Sequence, residues 1–122
     1  MSKVSREKEG EIIFCYNCTV VRVIDGDTVD CTVDVGFRVS IEMRFRLAGI
    51  NAPEMKTPEG PASKARLSEL MPVGSTLIVR TNKDKQEKYG RYLGTFWDAE
   101  QHEVNARMIQ EGFAVNYKET KP

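Results

Sequence analysis

Two stretches of strict alternation dominate the chain. Val29, Cys31, Val33 and Val35 alternate with Thr28, Asp30, Thr32 and Asp34. After Gly36 the alternation resumes, with Val39, Ile41, Met43, Phe45 and Leu47 set against Arg38, Ser40, Glu42, Arg44 and Arg46. A period of two held this long predicts two half-buried antiparallel strands joined by a hairpin around Gly36, with the apolar set facing the core. Arg46 then leaves the sheet on the face opposite Phe45 and Leu47. Ahead of the hairpin, the strand-like run from Ile12 to Ile24 ends in the β-branched stretch Thr19 to Ile24.

Downstream the pattern changes. Asn51 to Gly60 is rich in proline and glycine and predicts a loop. Pro61 opens a helix to about Met71, with Ala62, Ala65, Leu70 and Met71 near helical spacing, and proline suits the first turn. Pro72 and Gly74 close it. Thr76 to Thr81 reads as a strand, Asn82 to Gly90 as a polar loop, and Tyr92 to Trp97 as a strand with Tyr92 and Trp97 turned to the core. A turn at Asp98 to Gln101 leads to a short helix, Val104 to Gln110, which Gly112 stops as a C-terminal cap. The order predicts an α+β, mainly β architecture: a five-stranded OB-fold barrel with a helix after strand 3 and a short helix after strand 5. Residues 1–10, polar and charged, are expected as a flexible N-terminal tail, 11–117 as the domain and 118–122 as a C-terminal tail.

Composition narrows the class. The 122 residues suffice for one domain with a real core, and 40% hydrophobic with 30% charged residues is the balance of a soluble globular chain. No apolar run reaches membrane-spanning length, so no membrane association is expected. No secretory signal is read, which sets the cytoplasm as the expected location and a monomer as the default state. Net charge is zero, but from Arg80 to Arg91, in and flanking the loop between the last two strands, Arg80, Lys83, Lys85, Lys88 and Arg91 stand against only Asp84 and Glu87. That loop is either solvated or a phosphate attractor. Three cysteines do not make a closed disulfide framework. Cys15 and Cys18 have C-x-x-C spacing, yet there is no second pair and His102 is the one histidine, so a four-ligand zinc site is not supplied. An offset of three on a strand also puts their side chains on opposite faces. They are read as strand cysteines.

Four segments carry candidate chemistry: Ile24-Asp25-Gly26-Asp27-Thr28-Val29, Phe45-Arg46-Leu47, Asn51-Ala52-Pro53-Glu54 and Lys88-Tyr89-Gly90-Arg91. Taken singly, each has a bland reading. Asp-Gly is common turn chemistry, Glu54 is a loop glutamate, and Arg46 and Arg91 are a strand and a loop arginine. Together they provide what phosphodiester hydrolysis needs. Oxygen donors such as Asp27 can hold a hard cation that neutralises a nonbridging oxygen and positions water. A carboxylate can take the water's proton. Guanidinium forks can hold phosphoryl oxygens and the extra charge of the transition state.

These segments, with Gly60-Pro61-Ala62-Ser63, Val104-Asn105-Ala106 and Glu111-Gly112-Phe113-Ala114, make residues 19–117 resemble the staphylococcal (micrococcal) nuclease family. The resemblance implies an OB barrel with calcium-dependent endonuclease activity on DNA and RNA, single strands favoured, leaving 3′-phosphate ends. Carried over by position, Asp27 would be the calcium carboxylate, Ala52 would offer its backbone carbonyl, Asp25 would support from behind, and Thr28 would help order water. Glu54 would orient or deprotonate the attacking water. Arg46 would bind the scissile phosphate, and Arg91 would do the same while favouring departure of the leaving oxygen. Lys88 and Tyr89 would contact a terminal or neighbouring phosphate, and Tyr117 would stack on a base. Asn51 stands where better-known members have a second calcium-binding aspartate, so the implied site is one negative charge short and weaker calcium binding is expected. Better-known members also continue into a further C-terminal helix. Two rivals remain: a catalytically silent module of this kind that binds single-stranded nucleic acid or a protein, and a metal-free OB domain using Tyr89, Tyr92, Trp97 and the basic loop.

Overall fold

In a computed structural model of the chain, the structure describes residues 3–8, 11–81 and 91–117, with side chains from Phe14 onward. Its strands are β1 (Lys3–Lys8), β2 (Glu11–Asp25), β3 (Thr28–Gly36), β4 (Val39–Leu47), β5 (Ile50–Asn51), β6 (Thr76–Thr81), β7 (Tyr92–Trp97) and β8 (Val115–Asn116). The helices are α1 (Gly60–Leu70) and α2 (Val104–Gln110). β2, β3 and β4 form an antiparallel meander, β4 runs parallel to β7, β7 pairs with β6, and β6 returns to β2. Five strands thus close on themselves, as the order of elements predicts for an OB-fold barrel. β2 is long enough to serve both sides of the seam. Phe14 to Thr19 pair with β6, and Cys18 to Asp25 pair with β3. Closure removes the open edges that a flat sheet of this size would expose.

The core is the inner face of the alternating strands. Val20, Val29, Val33, Phe45, Leu47, Val79 and Phe96 are buried, with Phe45 and Phe96 in an edge-to-face contact, ring centroids 5.6 Å apart. Leu67 and Met71 of α1 and Val104 and Met108 of α2 cover the barrel. α1 carries a proline in its first turn, and α2 ends in a Schellman arrangement. There, the Phe113 N–H reaches the Met108 carbonyl, the Gly112 N–H reaches Ile109, and Gly112 adopts φ +80°. Cys18 and Cys31 are buried, Cys15 is half-buried, and all three are free thiols. Among the described residues no helix is long and apolar enough to cross a membrane.

Four features depart from the sequence expectation. Lys3–Lys8, expected within a tail, is a strand paired antiparallel with β2. The hairpin pivots on Phe37 and Arg38 rather than on Gly36, and all three residues lie at positive φ. Its apolar set does not all face the core: Val39 and Ile41 are each 47% exposed because the arms outrun the barrel wall. In β7 the buried positions are Gly94 and Phe96. Trp97 instead lies beside the Arg80 guanidinium, 5.2 Å from ring centroid to Cζ, while Tyr92 packs on the core edge. The two-residue strands β5 and β8 also pair with each other, fastening the C-terminal segment beside Asn51.

Candidate active site

The tight turn between β2 and β3 is the centre of the site. The Asp25 carboxylate accepts the Asp27 N–H at 3.0 Å, closing an Asx-type turn over Gly26. A Cβ on Gly26 would lie 2.0 Å from the Ser63 Oγ and 2.7 Å from the Ala52 Cβ. Glycine therefore lets α1 and the segment after β5 press against the acidic turn. Ser63 is held there by donating to the Phe113 carbonyl at 2.8 Å.

Asp27 is buried and fully engaged. Its Oδ2 accepts the Ala52 N–H at 2.9 Å, and its Oδ1 accepts the Thr28 hydroxyl at 3.1 Å. Register places Thr28 opposite Arg46. The Arg46 Nη2 lies 3.6 Å from Asp27 Oδ2 and donates to Asn51 Oδ1 at 3.2 Å, while Nη1 donates to the Leu47 carbonyl at 3.2 Å. The Tyr117 ring covers this guanidinium at 4.7 Å, and the Tyr117 N–H bonds the Gly49 carbonyl at 2.8 Å. Arg91 approaches from the start of β7, its Nη1 donating to the Thr28 hydroxyl at 3.3 Å. Burial raises the Asp25 pKa above its ordinary value, and the neighbouring Asp27 carboxylate adds to the rise, while the Asp27 N–H works against it.

The structure therefore brings together Asp25, Asp27, Thr28, Arg46, Asn51, Ala52, Arg91 and Tyr117. Glu54 lies apart. Its side chain is 73% exposed and pairs with Lys56 at 3.4 Å, while its carbonyl accepts the Thr57 N–H and hydroxyl. Lys88 and Tyr89 lie outside the described residues.

The donor chemistry suits a hard cation. Asp25 and Asp27 present carboxylate oxygens and Asn51 an amide oxygen, and two neighbouring carboxylates, one of them disfavoured as an anion by burial, would both gain from a positive charge. Among the described residues there is no group of three or more His, Cys, Asp or Glu side chains that could hold a metal. The set is completed by an amide and backbone oxygens or not at all.

Residues 44–122 match the model of the staphylococcal nuclease homologue family. The chain belongs to that family. Among its relatives, an uncharacterized endonuclease of Haemophilus influenzae is 33% identical over 119 residues, covering 98% of this chain and 58% of that protein. A micrococcal nuclease of Shigella flexneri is 36% identical over 107 residues, 81% of this chain and 57% of the relative. A thermonuclease of Staphylococcus hyicus is 33% identical over 100 residues, 78% of this chain and 56% of the relative. The chain thus spans a little over half the length of these curated relatives.

One constellation beside the site was missed from the sequence. Arg22, Asp30 and Arg44 sit side by side on β2, β3 and β4, with Asp30 buried between the two arginines. The Arg44 Nε and Nη2 donate to Asp30 at 2.7 and 3.0 Å, and the Arg22 Nη1 bonds the same carboxylate. These bonds, Arg44's first, hold the Asp30 pKa below its ordinary value. The available signal was opposite charges on the polar faces of adjoining strands, but using it required the register.

Proposed function

We propose that the chain hydrolyses phosphodiester bonds of DNA and/or RNA as a calcium-dependent endonuclease, acting on single strands and leaving 3′-phosphate ends. The observation that carries this reading is the convergence of two guanidiniums on the acidic turn: Arg46 on Asp27 and Asn51, and Arg91 on Thr28. Relatives named micrococcal nuclease and thermonuclease support it.

In the proposed reaction Arg46 and Arg91 grip the phosphoryl oxygens and take up the charge that builds in the transition state. Glu54, exposed on the loop after β5, accepts a proton from the attacking water. The bond between phosphorus and the 5′ oxygen breaks, Arg91 steadies that oxygen, and the phosphate stays on the 3′ side. Tyr117 holds Arg46 on one face and meets a base with its exposed edge. Lys88 and Tyr89 contact a neighbouring phosphate. Asp27, Asn51 and the Ala52 carbonyl would hold the cation, with Asp25 behind them and Thr28 ordering water. When bound, the cation supplies a counter-charge for the nonbridging oxygen.

Asn51 leaves this site one formal charge poorer than an aspartate would. Asn51→Asp should tighten calcium in a direct titration, and unchanged affinity would count against the assignment. The position of Glu54 beside Lys56 favours a second reading, a module that binds without cutting. Incubation with single-stranded DNA and RNA, with calcium and then with chelator, separates the two. Calcium-dependent cleavage lost in Arg46→Ala and Glu54→Gln is the expected outcome. Tight, calcium-insensitive binding without cleavage overturns the enzyme.

A further inference from the structure

We propose that Arg44 and Arg22, fixed by Asp30, form a second phosphate subsite that takes the internucleotide phosphate next to the one gripped by Arg46. The proposal rests on the nuclease reading and makes the substrate an extended single strand of several nucleotides.

Placement is the first support. Thr28 faces Arg46 and Asp30 faces Arg44 across β3 and β4, and Arg22 faces Asp30 across β2 and β3. Arg46 and Arg44 therefore leave the same face of β4, two residues and about 7 Å apart. That step is similar to the spacing of consecutive phosphates along an extended nucleic-acid strand. A strand whose scissile phosphate meets Arg46 can set its next phosphate over Arg44 and Arg22 without changing faces.

Burial is the second. An ordinary surface ion pair leaves both partners wet and contributes little. Here the Asp30 carboxylate is 5% exposed, while the side chains of Arg44 and Arg22 are 50% and 51% exposed. The acid is sunk into the sheet and acts as a peg, and the two forks stand above it already ordered. Pre-ordering lowers the side-chain entropy lost when an anion binds.

Donor count is the third. Arg44 spends Nε and Nη2 on Asp30, and its Nη1 has no hydrogen-bond partner among the described residues. Arg22 gives Nη1 to Asp30 and touches Glu42 with both Nη atoms only at 3.5 Å, the outer limit of a hydrogen bond. Glu42 is itself 53% exposed. Two guanidiniums share one buried carboxylate and one loosely held surface carboxylate. A phosphate, which suits the guanidinium fork, displaces the loose partner. Glu42 then competes with the phosphate for Arg22.

The test compares cleavage of a single-stranded decanucleotide with that of a dinucleotide by the full chain. The ratio of the two kcat/KM values should fall about tenfold in Arg44→Gln and in Arg22→Gln. The dependence of decanucleotide binding on salt should lose about one unit of logarithmic slope. Glu42→Gln, a surface change that leaves Asp30 paired, should move the ratio the other way. A ratio unchanged in all three variants overturns the subsite, as does a fall in Glu42→Gln. If the wild-type chain cleaves neither substrate, the nuclease reading fails. Decanucleotide binding by fluorescence anisotropy in the same variants then decides the subsite on its own, with unchanged affinity overturning it.

Discussion

The β3–β4 hairpin has the same alternating sequence along its whole length, yet its two ends are opposites. At the barrel end, polar side chains are buried: Thr28, Asp30 and Arg46, with Asp27 just before them. At the tip, apolar side chains are exposed: Phe37 at 99%, followed by Val39 and Ile41. Binary patterning alone would put both sets the other way round. The barrel end keeps its polar groups inside because each finds a partner. No buried side-chain polar atom among the described residues lacks one. The tip exposes its apolar groups because the arms continue past the wall that would cover them. The first departure is built into a network, and the second is only left uncovered.

The largest test of that contrast is at the barrel end. If Arg46 meets the developing charge as in the proposed reaction, Arg46→Ala should lower kcat about 10²- to 10³-fold while the far-ultraviolet circular dichroism stays native. Phe45→Ala, one residue away on the inner face, should lower unfolding free energy by about 3–5 kcal/mol in urea, through the cavity left against Phe96. Asp30→Asn should lower it by about 1–3 kcal/mol. That difference carries a pH signature. The Arg44 and Arg22 bonds depress the folded-state pKa of Asp30, so their contribution is complete above the unfolded value of about 4 and is lost as pH falls through the folded value. Urea midpoints of wild type and Asp30→Asn should therefore converge in acid. A constant gap between neutral and acid pH would show that the pair does not act through the carboxylate charge. The smallest effect belongs to the tip. Phe37→Asn with Arg38→Gly, residues at ease with positive φ, should raise stability by about 1 kcal/mol, and a loss there would mean that the tip is not strained.

Sequence pattern revealed the five barrel strands, both helices and the barrel order, because each rests on a period of two or 3.6 held over successive turns or pleats. The acidic turn, Arg46, Asn51 and Arg91 were also readable as one chemical set, and the structure gathers them. Register was not readable. Gly36 looked like the pivot of the hairpin, but the turn falls on Phe37 and Arg38, with a pairing irregularity between Asp34 and Gly36. That shift decides that Asp30 meets Arg44. The β5–β8 pair is two residues on each side, too short for any period to show, yet it seats Tyr117 over Arg46. Glu54 was read into the site by its motif; its side chain is exposed and pairs with Lys56 of the same loop.

The way the barrel closes has a consequence for when the site exists. β2, β3 and β4 join through short loops, whereas the seam pairs, such as Phe14 with Thr81 and Phe45 with Tyr92, join residues far apart along the chain. Loop-closure entropy therefore favours the meander first and the seam last. Asp27 and Arg46 ride on the meander. Arg91 arrives only with β7, and Tyr117 only once β8 docks on β5. On that order half of the constellation is in place before the barrel closes, and the second guanidinium joins it with β7.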